Sequence, residues 1–304
     1  MDKIEIRQIL CPTDFSAPSA RAFEHAVALA AWYQASVTVL HVLREPMIAA
    51  PALPYTLSPL LLDGSLRDTV QADLSSLVVP VNRAGLHAVG ELRDGNPGTE
   101  IVRAAQELHA DLVVMGTHGR TGFQRWALGS VAETVLRRAP CPVLTVPPRA
   151  GDDPDPLFFR RIFCATDFSP ASEAAVHYAA ALAAEADASL FLAHVLERPS
   201  PPPRPEPGRG AKQRQAPDFE CAARAQLRRA VPPEAREWCQ VEEIVATGQA
   251  APEILRLAAD REAGVIVMGV HGRGLLDLMA FGSVTHQVVR EAACPVLTVR
   301  ATSP

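Results

Sequence analysis

Two stretches of the chain have the residue types and spacing of a ligand-holding loop. Gly116 to Ser130 reads GTHGRTGFQRWALGS, and Gly269 to Ser283 reads GVHGRGLLDLMAFGS. In each, a glycine is followed by two residues, a second glycine, nine residues and a Gly-Ser pair that opens a helical pattern. Glycines let backbone N–H groups approach a ligand with no Cβ in the way. The helix opening at Ser130 or Ser283 directs free N–H groups and its dipole at the same place, and the hydroxyl adds a donor. An anion suits such a loop, so a nucleoside triphosphate is the first ligand to consider. The Gly-Lys-Ser/Thr ending of a P-loop is absent, and Arg120 and Arg273 are the nearest fixed charges. One such loop could be turn punctuation. Two at identical spacing favour the ligand reading.

Other groups have plainer roles open to them. Asp14 in CPTDFS and Asp167 in CATDFS could be turn or capping residues, but their recurrence beside a glycine loop favours ligand contact. His118 and His271 read as hydrogen-bonding loop residues rather than general bases, and His41 and His194 as satisfied core histidines. No nucleophile, base and carboxylate set and no metal-ligand cluster stands at interpretable spacing. Magnesium would arrive on phosphates and keep most of its waters. Cys11 and Cys164 close strand patterns while Cys141 and Cys294 precede them, which places them poorly for disulfides or a shared metal. They read as buried, inert thiols.

The elements that position these groups come in duplicate. Asp14 matches Asp167, Gly95 matches Gly248, Gly116 matches Gly269 and Cys141 matches Cys294, each pair 153 positions apart. The 304 residues therefore divide into a first domain at 1–147, a linker at 148–156 and a second domain at 157–304. In the first copy, Ile4 to Cys11 reads as a strand, Pro12 to Ser16 as a turn, and the next segment as a helix capped by Ser16 or Ser19. A strand over Ser36 to Val42, a Pro-punctuated connection to about Ser65 and a helix to about Arg83 follow. A strand over Leu86 to Arg93, a helix over Pro97 to His109, the strand Asp111 to Met115, the glycine loop, a helix to about Arg138 and the strand Val143 to Val146 complete it.

Strands alternating with helices predict an α/β fold, a doubly wound parallel sheet with helices on both faces in each half. Ligands on such sheets sit beyond the carboxyl ends of the strands. That rule gathers the Asp14 turn, the end of the strand at Val42 and the glycine loop into one crevice. The Pro-rich segment 198–217 of the second half reads as a solvated excursion. A composition of 48% hydrophobic and 21% charged residues is globular, and a net charge of −5 argues against nucleic acid or anionic membrane as a partner. With no long apolar run and no signal-peptide pattern at the start, a cytoplasmic protein is expected.

The TDFS turns at Thr13 to Ser16 and Thr166 to Ser169, the LHV and AHV strand ends, VMG at 114–116 and 267–269, the glycine loops and the closing CPVLTV strands resemble the universal stress protein family in tandem form. The loop spacing is similar to that of the family's ATP-binding branch. The resemblance implies five strands in the order 3-2-1-4-5 with four helices per half. It also implies that the halves pair with each other as an internal pseudo-dimer through their closing strands, and that further homodimerisation is open.

Carried over residue by residue, the resemblance sets adenine and ribose near Pro12, Thr13, Asp14 and Val42. It sets the phosphates on Gly116, Gly119, Gly129, Ser130 and the Val131 amide, with Met115 lining the pocket and Arg120 beside it. The second-half counterparts are Thr166, Asp167, Val195, Met268, Gly269, Gly272, Arg273, Gly282, Ser283 and Val284, with Ala165 replacing Pro12. Arg125 and Gln124 become Leu278 and Asp277, which predicts tighter triphosphate binding in the first half. The expected function is a nucleotide-responsive stress regulator that binds ATP, with magnesium, at one site per half and has no dedicated catalyst. Two alternatives stand beside it: a slow magnesium-dependent ATPase or self-phosphorylating protein acting through Ser130, Ser283 or His118, and a structural dimerisation module with vestigial loops.

Overall fold

A computed structural model describes residues 3–44, 60–119, 128–148, 159–197, 216–270 and 282–301, the side chains of 60–64 and 216–218 excepted. The chain folds as two units, Glu5–Pro156 and Leu157–Pro304, with Met1–Ile4 counted in the second.

The first unit runs β1 (Gln8–Pro12), α1 (Ala17–Tyr33), β2 (Ser36–Leu43), α2 (Leu60–Arg83), β3 (His87–Asp94), α3 (Pro97–Glu107), β4 (Leu112–Gly116), α4 (Ser130–Arg138) and β5 (Val143–Val146). Its strands lie in the order β3-β2-β1-β4-β5, all parallel, as expected. The chain winds outward through β2 and β3, then returns to place β4 on the other side of β1. The segments leaving β1 and β4 therefore diverge around a crevice at the strands' carboxyl ends. Ile9, Leu10 and Cys11 of β1 and Val113 and Val114 of β4 are fully buried, as strands covered on both faces must be.

The second unit repeats the plan with β6 (Arg161–Ala165), α5 (Pro170–Glu185), β7 (Ser189–Leu196), α6 (Ala216–Ala230), α7 (Ala235–Trp238), β8 (Gln240–Thr247), α8 (Ala250–Asp260), β9 (Val265–Gly269), α9 (Ser283–Glu291) and β10 (Val296–Val299). Its order is β8-β7-β6-β9-β10, again all parallel. The single turn α7 is a fifth helix among the described residues, where four were expected.

Several boundaries shift for local reasons. The first strand begins at Gln8 rather than Ile4, because the Arg7 and Gln8 N–H groups both donate to Asp111 Oδ2, at 2.8 and 2.9 Å, and not to a neighbouring strand. Helix α2 starts at Leu60, five residues before the expected point, since the run after Pro59 already has helical composition. Helix α3 stops at Glu107 because His109 takes a left-handed φ of 49°. Ser16, not Ser19, caps α1, accepting the Ser19 N–H, and Ser169 does the same for α5. The loop residues Arg120, Gln124, Arg125, Gly272, Arg273, Asp277 and Leu278 lie outside the described residues, as does 198–215 of the Pro-rich segment.

The helices facing the sheet are lined with alanine: Ala22, Ala26 and Ala30 of α1, and Ala175, Ala179, Ala180 and Ala183 of α5, are fully buried. Small side chains there bring helix backbone close to strand backbone. Burial also governs the thiols, which are all free. It pushes Cys11 from an ordinary value of 9.0 to about 12 and raises Cys164 further. Cys141 and Cys294 also rise to about 12 by burial, with the Asp111 carboxylate adding to the effect at Cys141. Because these four folded values lie above the unfolded one, their contribution to stability is complete below pH 9 and is lost as the pH rises towards 12. At pH 8 a disulfide exchange reagent is expected to modify the exposed Cys221 quickly and Cys11 and Cys164 only after denaturation. Rapid native modification of Cys11 would contradict this packing.

Candidate functional site

The turn after β1 is built by side chains standing in for a hydrogen-bond ladder. Thr13 is buried, and its hydroxyl accepts the Phe15 N–H at 3.1 Å and pairs with Ser19 Oγ at 3.2 Å. Asp14 Oδ1 accepts the Ser16 N–H at 3.0 Å and also the Ser16 hydroxyl, an Asx turn. Phe15, between them, is held at a φ of 59°, a left-handed conformation that a bulky residue adopts only under constraint.

The turn is clamped to β2 at two points. The Thr13 N–H donates to the Leu40 carbonyl at 2.8 Å, and His41 Nδ1 lies 2.8 Å from the Thr13 carbonyl. A carbonyl only accepts, so Nδ1 carries the proton. His41 is thus a satisfied structural histidine, as read from the sequence, and it also reaches the cavity wall. Its ring packs 4.8 Å from that of Phe15. The second unit repeats each feature: Thr166 with Phe168 and Ser172, Asp167 with Ser169, the Thr166 N–H on Ala193, His194 Nδ1 on the Thr166 carbonyl, and Phe168 at a φ of 61°.

The glycines divide by role. A Cβ on Gly119 would lie 2.7 Å from Asp14 Oδ2, so the loop passes directly against the carboxylate of the first turn. Gly116 answers to packing: a Cβ there would lie 3.1 Å from the Pro18 carbonyl oxygen, and at Gly269 2.7 Å from the Ala171 carbonyl carbon. Strand and helix backbones meet at these two positions. That is a reason for the first glycine of each loop independent of any ligand. Gly129 and Gly282 are the N-caps of α4 and α9, and neither helix has a side-chain cap. The Gly129 N–H returns to the Thr117 carbonyl at 3.0 Å, closing the loop at its base.

These parts enclose a cavity of about 400 Å³ in the first unit. Pro12, Thr13, Asp14, Val42, Met115, Gly116, Gly119, Gly129, Ser130 and Val131 all line it, so every described first-half candidate is brought to one wall. Arg120 lies outside the described residues. The sequence reading missed Arg44, Pro97 and Ile101 on the same wall. Pro97 and Ile101 come from α3, whose facing side no motif marks, and Arg44 is the first residue past β2. His118 also lines the cavity. Its Nδ1 pairs with Thr117 Oγ1 at 2.9 Å, while its buried Nε2 has no hydrogen-bond partner among the described residues. Of the second-half candidates, Thr166 and Asp167 sit in the turn after β6, Val195 in β7, Met268 and Gly269 in β9, and Gly282, Ser283 and Val284 at the start of α9. Gly272 and Arg273 are outside the described residues.

Chemically, the described residues of the wall offer the Asp14 carboxylate, the Arg44 guanidinium, the His41 and His118 imidazoles and a helix start whose N-cap is glycine. Among the described residues no three His, Cys, Asp or Glu side chains gather as a metal site, and no helix is long and apolar enough to cross a membrane.

Residues 5–147 and 158–300 each match the family model described as the Universal stress protein family. The chain belongs to the universal stress protein family. It has two such domains in tandem. A universal stress protein of Methanocaldococcus jannaschii is 38% identical over 141 residues, covering 46% of this chain and 81% of that protein. A universal stress protein of Mycolicibacterium smegmatis is 29% identical over 297 residues and is matched across 96% of both chains. The crystal structure of a universal stress protein from Archaeoglobus fulgidus superposes with a TM-score of 0.70 at 22% identity, covering 97% of this chain and 98% of the other, and so shares the fold.

The close approach at the first glycines predicts a graded loss of stability. Gly269→Ala, which forces a methyl against backbone, is expected to cost about 1–3 kcal/mol by overpacking, and Gly116→Ala less. Chemical denaturation measures both. Equal, negligible effects would show that the helices can move away freely.

Proposed function

We propose that this universal stress protein binds an adenine nucleotide, ATP in the first instance, in the first-half cavity and in its second-half counterpart. In this reading it is a cytoplasmic regulator whose partners respond to occupancy. The observation that carries the proposal is the convergence, around a single cavity, of a turn carboxylate, a strand end and an uncapped helix start beside glycines. The cavity volume falls within the range of small-molecule pockets.

The residues suit the ligand in a graded way along the cavity. Pro12, Val42, Met115 and Ile101 supply apolar surface for a base. Asp14, oriented by Ser16, is an acceptor for ribose hydroxyls. The Ser130 hydroxyl and the first N–H groups of α4, whose N-cap Gly129 has no side chain to bond them, are donors for phosphate oxygens. Gly119 leaves room where a side chain would meet Asp14. Magnesium would come with the phosphates, since Asp14 is the one carboxylate among the described residues of the wall.

Calorimetric titration of the full chain with ATP and magnesium tests the reading. The wild type is expected to bind. Gly119→Val, which sets a branched side chain between Asp14 and the loop, is expected to weaken first-half binding at least roughly tenfold, with circular dichroism unchanged. A folded wild type that takes up no adenine nucleotide, or a Gly119→Val protein that binds as well as wild type, would overturn it.

A further inference from the structure

The two halves differ in charge at the position just past the second strand of each unit. Arg44, exposed and one residue past β2, lines the first-half cavity together with Pro97, the first residue of α3. The equivalent positions in the second half are Glu197, one residue past β7, and Ala250, the first residue of α8. There the Ala250 N–H donates to Glu197 Oε1, a long contact of 3.4 Å.

Two prolines account for the exchange. In α3 the N-cap Asn96 accepts the Thr99 N–H at 3.2 Å, and Pro97 has no N–H to satisfy. Helix α3 therefore has a filled N-cap and no N–H at its first position to offer the end of β2, where a cation stands. In α8 the residue matching Thr99 is Pro252, so the N-cap Gln249 has no such donor to bond and makes no side-chain cap. The exposed donor is instead that of Ala250, and a carboxylate from the end of β7 answers it, suited also to the positive end of the helix. The helix start in the second half thus recruits an anion to the position where the first half presents a cation.

We infer that Arg44 and Glu197 set the two halves apart in ligand charge: the first half favours a polyanionic nucleotide, and the second favours the same base and sugar carrying less negative charge. The inference rests on the nucleotide reading above and adds selectivity between the halves. Both side chains are exposed, so the effect is a field at the mouth of each site rather than a buried pair, and it falls with salt.

The test is calorimetric titration of the full-length protein with ATP and, separately, with uncharged adenosine, at low and at 0.5 M salt on the order of the screening limit. The wild type is expected to bind ATP in a strong and a weak class and to take adenosine with little difference between halves. Glu197→Arg is expected to tighten the weak class by roughly three- to tenfold at low salt, and Arg44→Glu to weaken the strong class by a similar factor, both changes shrinking at high salt and both absent for adenosine. Glu197→Gln, which keeps the size of the side chain, gives the same direction with a smaller change and separates charge from any loosening of α8. The inference is overturned if Glu197→Arg leaves the weak class unchanged, or if its effect is equal for ATP and adenosine and insensitive to salt. Failure of the folded wild type to bind either compound overturns the nucleotide reading itself, and the inference with it.

Discussion

The site depends on the clamp between the turn after β1 and the end of β2. Thr13 donates its N–H to the Leu40 carbonyl and its own carbonyl accepts the His41 Nδ1–H, so one peptide segment is held from both sides. A left-handed Phe15 costs roughly 1–2 kcal/mol. It is sustained by Thr13 Oγ1 on its own N–H, by the Asx turn of Asp14 and by the ring of His41. Releasing the clamp would free the carboxylate of Asp14 and the start of α1 together. The same arrangement recurs at Thr166, Asp167, Phe168 and His194, which makes it a property of the domain rather than an accident of one copy.

A second constraint is the distance between helix and sheet. Alanines on α1 and α5 and a glycine at the end of β4 and β9 bring backbone within contact of backbone. Just beyond β4, Gly119 passes against the Asp14 carboxylate of the turn after β1. Packing and site geometry are therefore coupled through glycine, but at different residues: Gly116 and Gly269 serve the fold, while Gly119 serves the cavity. Conservation of fold and capacity for a ligand would then be separable by substitution.

Much of this was legible in the residues. The 153-residue spacing from Asp14 to Asp167 and from Gly116 to Gly269 defined two copies, and the alternation of periods implied the parallel sheet that each unit has. The strand-end rule gathered Asp14, Val42 and Gly119 correctly, because parallel topology alone determines which turns share an end. What escaped depends on orientation. Which side of α3 faces the cavity follows from its packing angle, so Pro97 and Ile101 carried no signal. Arg44 looked like the start of a connection, and the capping roles that distinguish it from Glu197 appear only when Pro97 and Pro252 are compared with their counterparts. The helix start at Leu60 and the strand start at Gln8 shifted because a neighbouring side chain or an apolar run overrode local punctuation.

The central claim is that one cavity in the first half is the nucleotide site and that its walls act together. Amide chemical-shift mapping of the full chain on addition of ATP with magnesium addresses it directly. The account predicts the largest changes at Thr13, Val42, Gly119, Gly129, Ser130 and Val131, with the backbone of β5 unaffected. Changes confined to other surfaces, or none in a folded protein at saturating nucleotide, would contradict it.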